Sequence, residues 1–246
     1  MQSMCVNVVI LRRNDFELSD WTTVDTHVPL AELSAREVCR ITADPEQFSG
    51  GGAVAALSAG YAAAITLLVA RLSERRRRMR AGATDAYSVE QKLLDLQSRF
   101  LTAADRDLSA LDALLQAQRN VRDGGSREPY IAALEAAARE PVALADDIAL
   151  LLKVVQHEVT AASRFTVSDL GAAAAIGRGA AQAALLTAKV NVALLRTELI
   201  DQADVDALAA RIDTVATQID ACAQEIINVT NQRISEPHAT RAADGM

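Results

Sequence analysis

The sequence predicts an all-α fold, a single-domain bundle of long, alanine-rich helices, and three observations carry that expectation. Half of the 246 residues are apolar but only 3% are aromatic, so the apolar content is mostly Ala, Leu and Val, a mix that suits close-packed helices better than a β-sandwich. Apolar residues recur at helical spacing over long stretches, as in Leu93, Leu94, Leu96, Phe100, Leu101, Leu108, Leu111, Leu114 and Leu115. No strand-pairing signal stands out in the body of the chain. A chain of this length can bury a sizeable core.

Residues 1–28 read as an N-terminal extension, loosely ordered, in which Val6–Leu11 has the make-up of a short strand and Asp20–His27 of a loop. Residues 29–235 form the helical domain. Pro29 suits a helix start, with Leu30, Leu33, Val38 and Ile41 near helical spacing, and Pro45 ends that short helix at about Ala43–Glu46. A central helix is expected from about Ala53 to Met79, with Gly82 as its stop. Ser88 and Gln91 have capping-box spacing for the next helix, which runs to about Arg119 and ends in the loop Asp123-Gly124-Gly125-Ser126. A fourth helix covers about Pro129–Arg139, and Pro141 starts or kinks a fifth that reaches Ala161. Ser168-Asp169 reads as the start of a second alanine-rich helix, with an acidic group in its first turn. A last helix spans about Val205–Ile234, and residues 236–246 read as a flexible polar tail.

A formal charge of −7 argues against nucleic-acid binding, which needs a basic face. Cys5, Cys39 and Cys222 are odd in number and lack CxxC spacing, and His27, His157 and His238 are scattered, so neither a disulfide framework nor a metal site is expected. The basic residues of the N-terminus follow its apolar patch, the wrong order for a secretory signal, so the chain reads as cytoplasmic. Ala53–Ala70 lacks charge over nearly the length of a membrane span, but it is rich in Ala and stops at Arg71, which reads as a buried core helix and not a membrane partner.

Phe48-Ser49-Gly50-Gly51-Gly52-Ala53 ahead of that helix offers a glycine turn that can reach positive φ and let the backbone approach a ligand at a helix N-terminus. The helices that begin at Gly50–Gly52 and Ser168–Gly171 could place their N-termini around one polar pocket. Among ionisable groups, Asp105 and Asp107 are two apart and face different ways on a helix. Asp107 lies beside the apolar stripe. It is either a core-edge carboxylate paired with Arg99 or Arg106, or a desolvated acid suited to proton transfer. Lys189 and Asn191 interrupt an apolar stripe, and an amide there satisfies a neighbouring backbone group or a ligand. Arg75–Arg78 is either a solvated helix end or a grip on an acidic substrate tail.

Taken together, these segments resemble the cyclodeaminase/methenyltetrahydrofolate cyclohydrolase family, which includes the cyclodeaminase half of formiminotransferase-cyclodeaminase. Phe48–Leu57 resembles its Pro-Gly-Gly-Gly-Ser opening and Val69-Ala70-Arg71-Leu72-Ser73 its Val-Ala-Asn-Leu-Thr segment. Asp107-Leu108-Ser109-Ala110-Leu111 is similar to its Asp-x-x-Ala-Phe segment, and Ala137–Pro141 to its Ala-Ala-x-x-Pro turn. Val167-Ser168-Asp169-Leu170-Gly171 resembles its Ser-Asp-x-Gly motif, and Asn191 the second Asn of its Asn-Val-x-x-Asn stretch. The resemblance covers about residues 30–232.

It implies an all-helical homodimer that binds a tetrahydrofolate as substrate, with no other cofactor, and closes or opens the one-carbon bridge between two folate nitrogens. Such an enzyme is a cyclodeaminase, expelling ammonia, or a cyclohydrolase, adding water. On that reading Asp107 is the acid/base, and Gly50, Gly51, Gly52 and Ala53 let the backbone approach the folate. Ser168, Asp169 and Asn191 shape the polar end, while the basic segment with Arg75 and Arg76 meets the glutamate tail. The chain departs from the pattern at Ser49, Ala53, Arg71, Leu111, Ser163 and Thr187. Because sites built on hydrogen bonds discriminate sharply, those changes leave open a same-fold enzyme for another C–N substrate, amidine- or formimino-like, or a non-catalytic helical binding protein.

Overall fold

A computed structural model of the protein describes residues 28–45, 50–81, 87–198 and 202–236. The strand at Val6–Leu11, the loop Asp20–His27, Ser49, Gly82 and the tail from Pro237 lie outside these residues, as do the side chains of Tyr87 and Ser88 and with them the capping box.

After a 3-10 turn at Leu30–Glu32 come α1 (Ala35–Ala43), α2 (Gly51–Ala81), α3 (Tyr87–Arg122), α4 (Glu128–Ala161), α5 (Val167–Leu195) and α6 (Gln202–Ser235). No strand occurs among the described residues. The all-α bundle expected from the sequence is the fold.

Four details differ from expectation. The single short helix from Pro29 is two elements, because Ser34 makes a capping box with Glu37: its hydroxyl accepts from the Glu37 N–H, and the Glu37 carboxylate accepts from the Ser34 N–H. That Ser-x-x-Glu spacing was readable in the sequence. α2 begins at Gly51, two residues before Ala53, and α5 at Val167, one before Ser168. The glycines that open α2 do not use positive φ; among the described residues only Gly124 does, at 88°. There it closes α3, with the Gly125 N–H donating to Asn120 and the Gly124 N–H to Val121.

The fourth difference is the largest. The expected fourth and fifth helices are one, with buried Pro141 inside α4. Proline has no N–H for the carbonyl one turn back, that of Ala137, and a buried carbonyl left bare costs about 1–3 kcal/mol. Asn191 supplies the missing donor: its Nδ2 reaches the Ala137 oxygen at 2.8 Å from α5. A polar side chain on one alanine-rich helix thus repairs the helix that proline would interrupt.

Successive long helices run antiparallel, as side-chain contacts along their lengths show. Across α2 and α3, Gly52 faces Asp107, Gly60 faces Leu101, and Arg71 pairs with Glu90. Arg99 of α3 pairs with Asp147 of α4. Gly177 of α5 packs on Ile148 and Leu152 of α4. Along α5 and α6, Gly171 meets Thr230, Arg178 pairs with Asp220, and Lys189 with Asp213. The core divides by residue size: α2 and α5 bury alanines (Ala56, Ala59, Ala62 and Ala63; Ala173, Ala174, Ala181 and Ala184), and α4 fills between them with Leu134, Ile148, Leu151, Leu152 and Val155. Small faces let the backbones come close while leucines occupy the remaining space.

This alternation sorts the chain into two ends. One gathers the starts of α2, α4 and α6 with the ends of α3 and α5. The other gathers the ends of α2, α4 and α6 with the starts of α3 and α5.

Candidate functional site

The site is built where α3 crosses the start of α2. Asp107 is half-buried on α3, and its carboxylate occupies the space a side chain at Gly52 would need. A Cβ built on Gly52 would lie 2.1 Å from Oδ1 and 2.7 Å from Oδ2. Only glycine allows this approach. The Ala53 N–H, in the first turn of α2, donates to the carboxylate. Asp107 therefore caps α2 from another helix, where free N–H groups and the helix dipole favour negative charge.

Burial nevertheless dominates. It pushes the Asp107 carboxyl above the usual aspartate range, and the Ala53 hydrogen bond opposes the shift without cancelling it; no cation contributes. Arg99, one of the two arginines expected as a partner for Asp107, pairs with Asp147 instead. Asp105 faces elsewhere, accepting the Leu30 N–H at 2.8 Å and so tying the 3-10 turn to α3. A desolvated carboxyl with one backbone donor and no counter-ion takes up a proton more readily than an ordinary aspartate, which suits it to pass one to a bound group.

Of the four residues at the turn, Gly52 and Ala53 meet Asp107. Gly51 is exposed, and a Cβ on Gly50 or Gly51 would meet nothing within 4 Å. The Ala53 methyl is buried, so its polar contribution to the site is its N–H. Asn191 stands at the same end of the bundle, with one amide hydrogen engaged by Ala137.

Ser168 and Asp169 lie at the opposite end, in the first turn of α5. The expectation that the starts of α2 and α5 line one pocket is overturned, because two helices running in opposite senses have their N-termini at opposite ends. Gly171 serves packing: a Cβ there would lie 2.7 Å from Thr230 Cγ2. Arg75 is at that far end too, lining a shallow groove with Arg71, Glu74, Arg78, Met79 and Glu90. Arg77 and Arg78 both pair with Glu74, and Arg76 turns back to the carbonyl of Leu72 at 3.2 Å. Lys189 pairs on the surface with Asp213.

One group near Asp107's end escaped the sequence reading. Glu198, buried just past α5, receives Arg127 from the start of α4, and burial and Glu198 together push the Tyr130 phenol up. An acidic residue at a helix C-terminus opposes the dipole. That anomaly was the available signal for a buried partner. The α3–α4 hairpin, which carries Arg127 and Tyr130, extends about 22 Å beyond Asp107. Among the described residues no cluster of three or more His, Cys, Asp or Glu side chains is placed to hold a metal.

A family model described as formiminotransferase-cyclodeaminase matches residues 34–214. The crystal structure of formiminotetrahydrofolate cyclodeaminase from Thermotoga maritima superposes with a TM-score of 0.68 at 21% identity, covering 82% of this chain and 97% of that one. No curated protein matches in sequence. The match begins at the Ser34 cap and takes in the Gly52–Asp107 crossing, the Pro141–Asn191 repair and the Ser168-Asp169 turn. The chain belongs to the formiminotransferase-cyclodeaminase family.

Proposed function

We propose that the protein is a cytoplasmic enzyme of folate one-carbon interconversion, a formiminotetrahydrofolate cyclodeaminase or methenyltetrahydrofolate cyclohydrolase, with Asp107 as its acid/base. The observation that carries this reading is the Asp107 carboxylate, laid over Gly52 without a counter-ion and raised by burial. Family membership and the folate named for the Thermotoga structure support the substrate class.

The chemistry needs positioning and one mobile proton. In cyclodeamination, one folate nitrogen attacks the carbon of the protonated formimino group (an amidinium) carried by the other, whose positive charge passes to the methenyl product. The attacking nitrogen's proton passes to the Asp107 carboxylate and is then delivered to the departing amine, which leaves as ammonia while the bridge closes. In the hydrolytic direction water adds to the cationic methenyl carbon and Asp107 takes one of its protons. That proton goes to the nitrogen released as the ring opens, while the adduct's hydroxyl gives its proton to solvent as the formyl C=O forms. Both sequences leave the carboxyl as it began and require no change of oxidation state. The Ala53 N–H holds the carboxylate in place between the two transfers.

The test is direct. The protein is mixed with methenyltetrahydrofolate and the loss of its ultraviolet absorbance followed; with formiminotetrahydrofolate, the gain of that absorbance and of ammonia is followed. Acceleration over buffer in either assay is expected. No acceleration in both, with no folate binding by calorimetry, would give the site to another C–N substrate or to binding alone.

A further inference from the structure

Three buried side-chain atoms among the described residues have no hydrogen-bond partner: Ser73 Oγ, Glu158 Oε2 and Thr230 Oγ1. Packing accounts for Thr230, whose side chain lies over Gly171. Glu158, near the end of α4, is harder to explain. It is only 2% exposed, and no ion pair reaches its carboxylate among the described residues. The other two acids buried to a like degree are both paired, Glu74 with Arg77 and Arg78, and Glu198 with Arg127. Even Asp107, half-buried, accepts the Ala53 N–H. A carboxylate withdrawn from water with neither a donor nor a counter-charge is costly, so Glu158 calls for a compensating partner.

Arginines at this end of the bundle are directed elsewhere. Arg71 holds Glu90, Arg77 and Arg78 hold Glu74, and Arg75 lines the surface groove. Arg233 donates to the carbonyls of Val159, Thr160 and Ala162.

The register of the helices sets Ser73 level with Glu158. Arg71 of α2 pairs with Glu90 of α3, and Arg99 of α3 pairs with Asp147 of α4. Glu90 precedes Arg99 by nine residues, so across an antiparallel pair its level on α4 is nine residues beyond Asp147, at Gln156. Arg71 is therefore level with Gln156, and Ser73 with Glu158, because α2 and α4 run in the same sense. These two helices also touch each other across the bundle.

Both side chains lie on inward faces. Glu158 follows Asp147 by eleven residues, about three turns, which keeps it on the face of α4 that meets α3. Ser73 follows the fully buried Thr66 by seven, about two turns, on the inner stripe of α2. Thr66 returns its hydroxyl to the Ala62 carbonyl at 2.8 Å, a common habit of threonine within helices. Ser73 does not, and its oxygen stays unpaired in the interior.

We infer that the Glu158 carboxylate and the Ser73 hydroxyl bind a monovalent cation between the ends of α2 and α4, at the end of the bundle away from Asp107. The donors select this class of ligand. Both are oxygens, which suit a hard cation and not a soft metal. Calcium draws on several carboxylates, and no cluster of three or more His, Cys, Asp or Glu stands among the described residues. One carboxylate is balanced by one positive charge. Sodium, potassium and ammonium share this chemistry. The bound ion neutralises Glu158 and joins α4 to α2, so it stabilises the folded chain by mass action. The site is separate from the folate reading and does not depend on it.

Thermal melting in different chloride salts at equal ionic strength tests the inference. The full chain is melted in sodium, potassium, ammonium and choline chloride, choline being too bulky for a closed interior. With at least one of the three small cations the melting temperature should exceed that in choline and climb with concentration. Each tenfold rise above the dissociation constant corresponds to about 1.4 kcal/mol. The salt with the largest rise identifies the ion. Glu158→Gln should lose the difference between that salt and choline, and Ser73→Ala should need several-fold more cation for the same rise. If Glu158→Gln does not fold, Glu158→Leu gives the same comparison, since an apolar side chain of similar volume replaces the buried charge. Equal melting of wild type in all four salts would overturn the proposal; a buried water, which satisfies Glu158 alike in every salt, gives that result. A rise that the Glu158 variant keeps in full would overturn it too, and a Ser73→Ala response identical to wild type would overturn a site shared by the two helices.

Discussion

Asp107 and Asn191 are two polar side chains that do the same local task with opposite consequences. Each reaches from one helix to a backbone group that lacks a helical partner on another, at the same end of the bundle. Asn191 donates to the carbonyl that Pro141 leaves without a partner, and the result is a continuous α4. Asp107 accepts from the Ala53 N–H, yet burial still pushes its carboxyl above the ordinary range. The neutral amide loses little by desolvation once its hydrogen bond is made. The carboxylate is charged, and one backbone donor does not replace the water it gives up. The difference separates a fold repair from a carboxyl that burial makes easier to protonate.

Substitution at Asp107 should break the comparison most strongly. Asp107→Asn is expected to lower turnover at least 100-fold or so, the range of a lost general acid/base, while helix content by circular dichroism is unchanged. Full activity would remove Asp107 from the chemistry. Stability should move the other way. A carboxyl raised in the folded state contributes stability that is fully present below its unfolded value and is lost as pH rises through the folded one. The melting temperature of wild type relative to Asp107→Asn should therefore fall as pH is raised across that window, and a constant difference would contradict a buried, raised carboxyl. In the pH profile of kcat/KM, the limb that Asp107→Asn abolishes should lie above the ordinary aspartate range.

Gly52→Ala comes next. Its Cβ displaces the end of a flexible side chain, so the fold should tolerate it within about 1 kcal/mol, but the carboxylate must leave the start of α2. A fall in kcat of about 10-fold or more is expected from a displacement of that size, and a crystal structure should show Asp107 moved. Unchanged kcat would mean the close approach is incidental.

At Asn191 the effect should be on stability. Asn191→Ala leaves the Ala137 carbonyl bare and should cost about 1–3 kcal/mol by chemical denaturation. In that background Pro141→Ala restores an N–H to α4 and should recover part of the loss, so a double-mutant cycle should show coupling. Strict additivity would sever the two residues. The smallest effect belongs to Gly51→Ala: the site is exposed with open space for a methyl, and the helix gains a better former. Stability should rise by up to about 0.5–1 kcal/mol with activity unaltered, which would show that the site does not depend on Gly51.

Much of the architecture was legible without coordinates. Apolar residues at helical spacing placed α2, α3, α5 and α6 to within a few residues, because burying one stripe per helix is a local pattern written along the chain. The glycine turn and Asp107 were legible as candidates, one by its lack of Cβ and the other by its place beside a leucine stripe. Their meeting was not, since no spacing relates residue 52 to residue 107. Pro141 misled the reading for a similar reason: proline breaks a helix locally, and only a donor 50 residues further on says that this one survives.

By itself, then, the sequence determined the helices, their apolar faces and the residues able to do chemistry. These follow from side-chain type and period. Tertiary structure decided which of those residues share an end. It joined Asp107 to Gly52 and Ala53, set Ser168 and Asp169 at the far end, and gave Asn191 to α4. The physical reason is direction: antiparallel packing sorts helix termini into two groups, and that sorting belongs to the bundle as a whole.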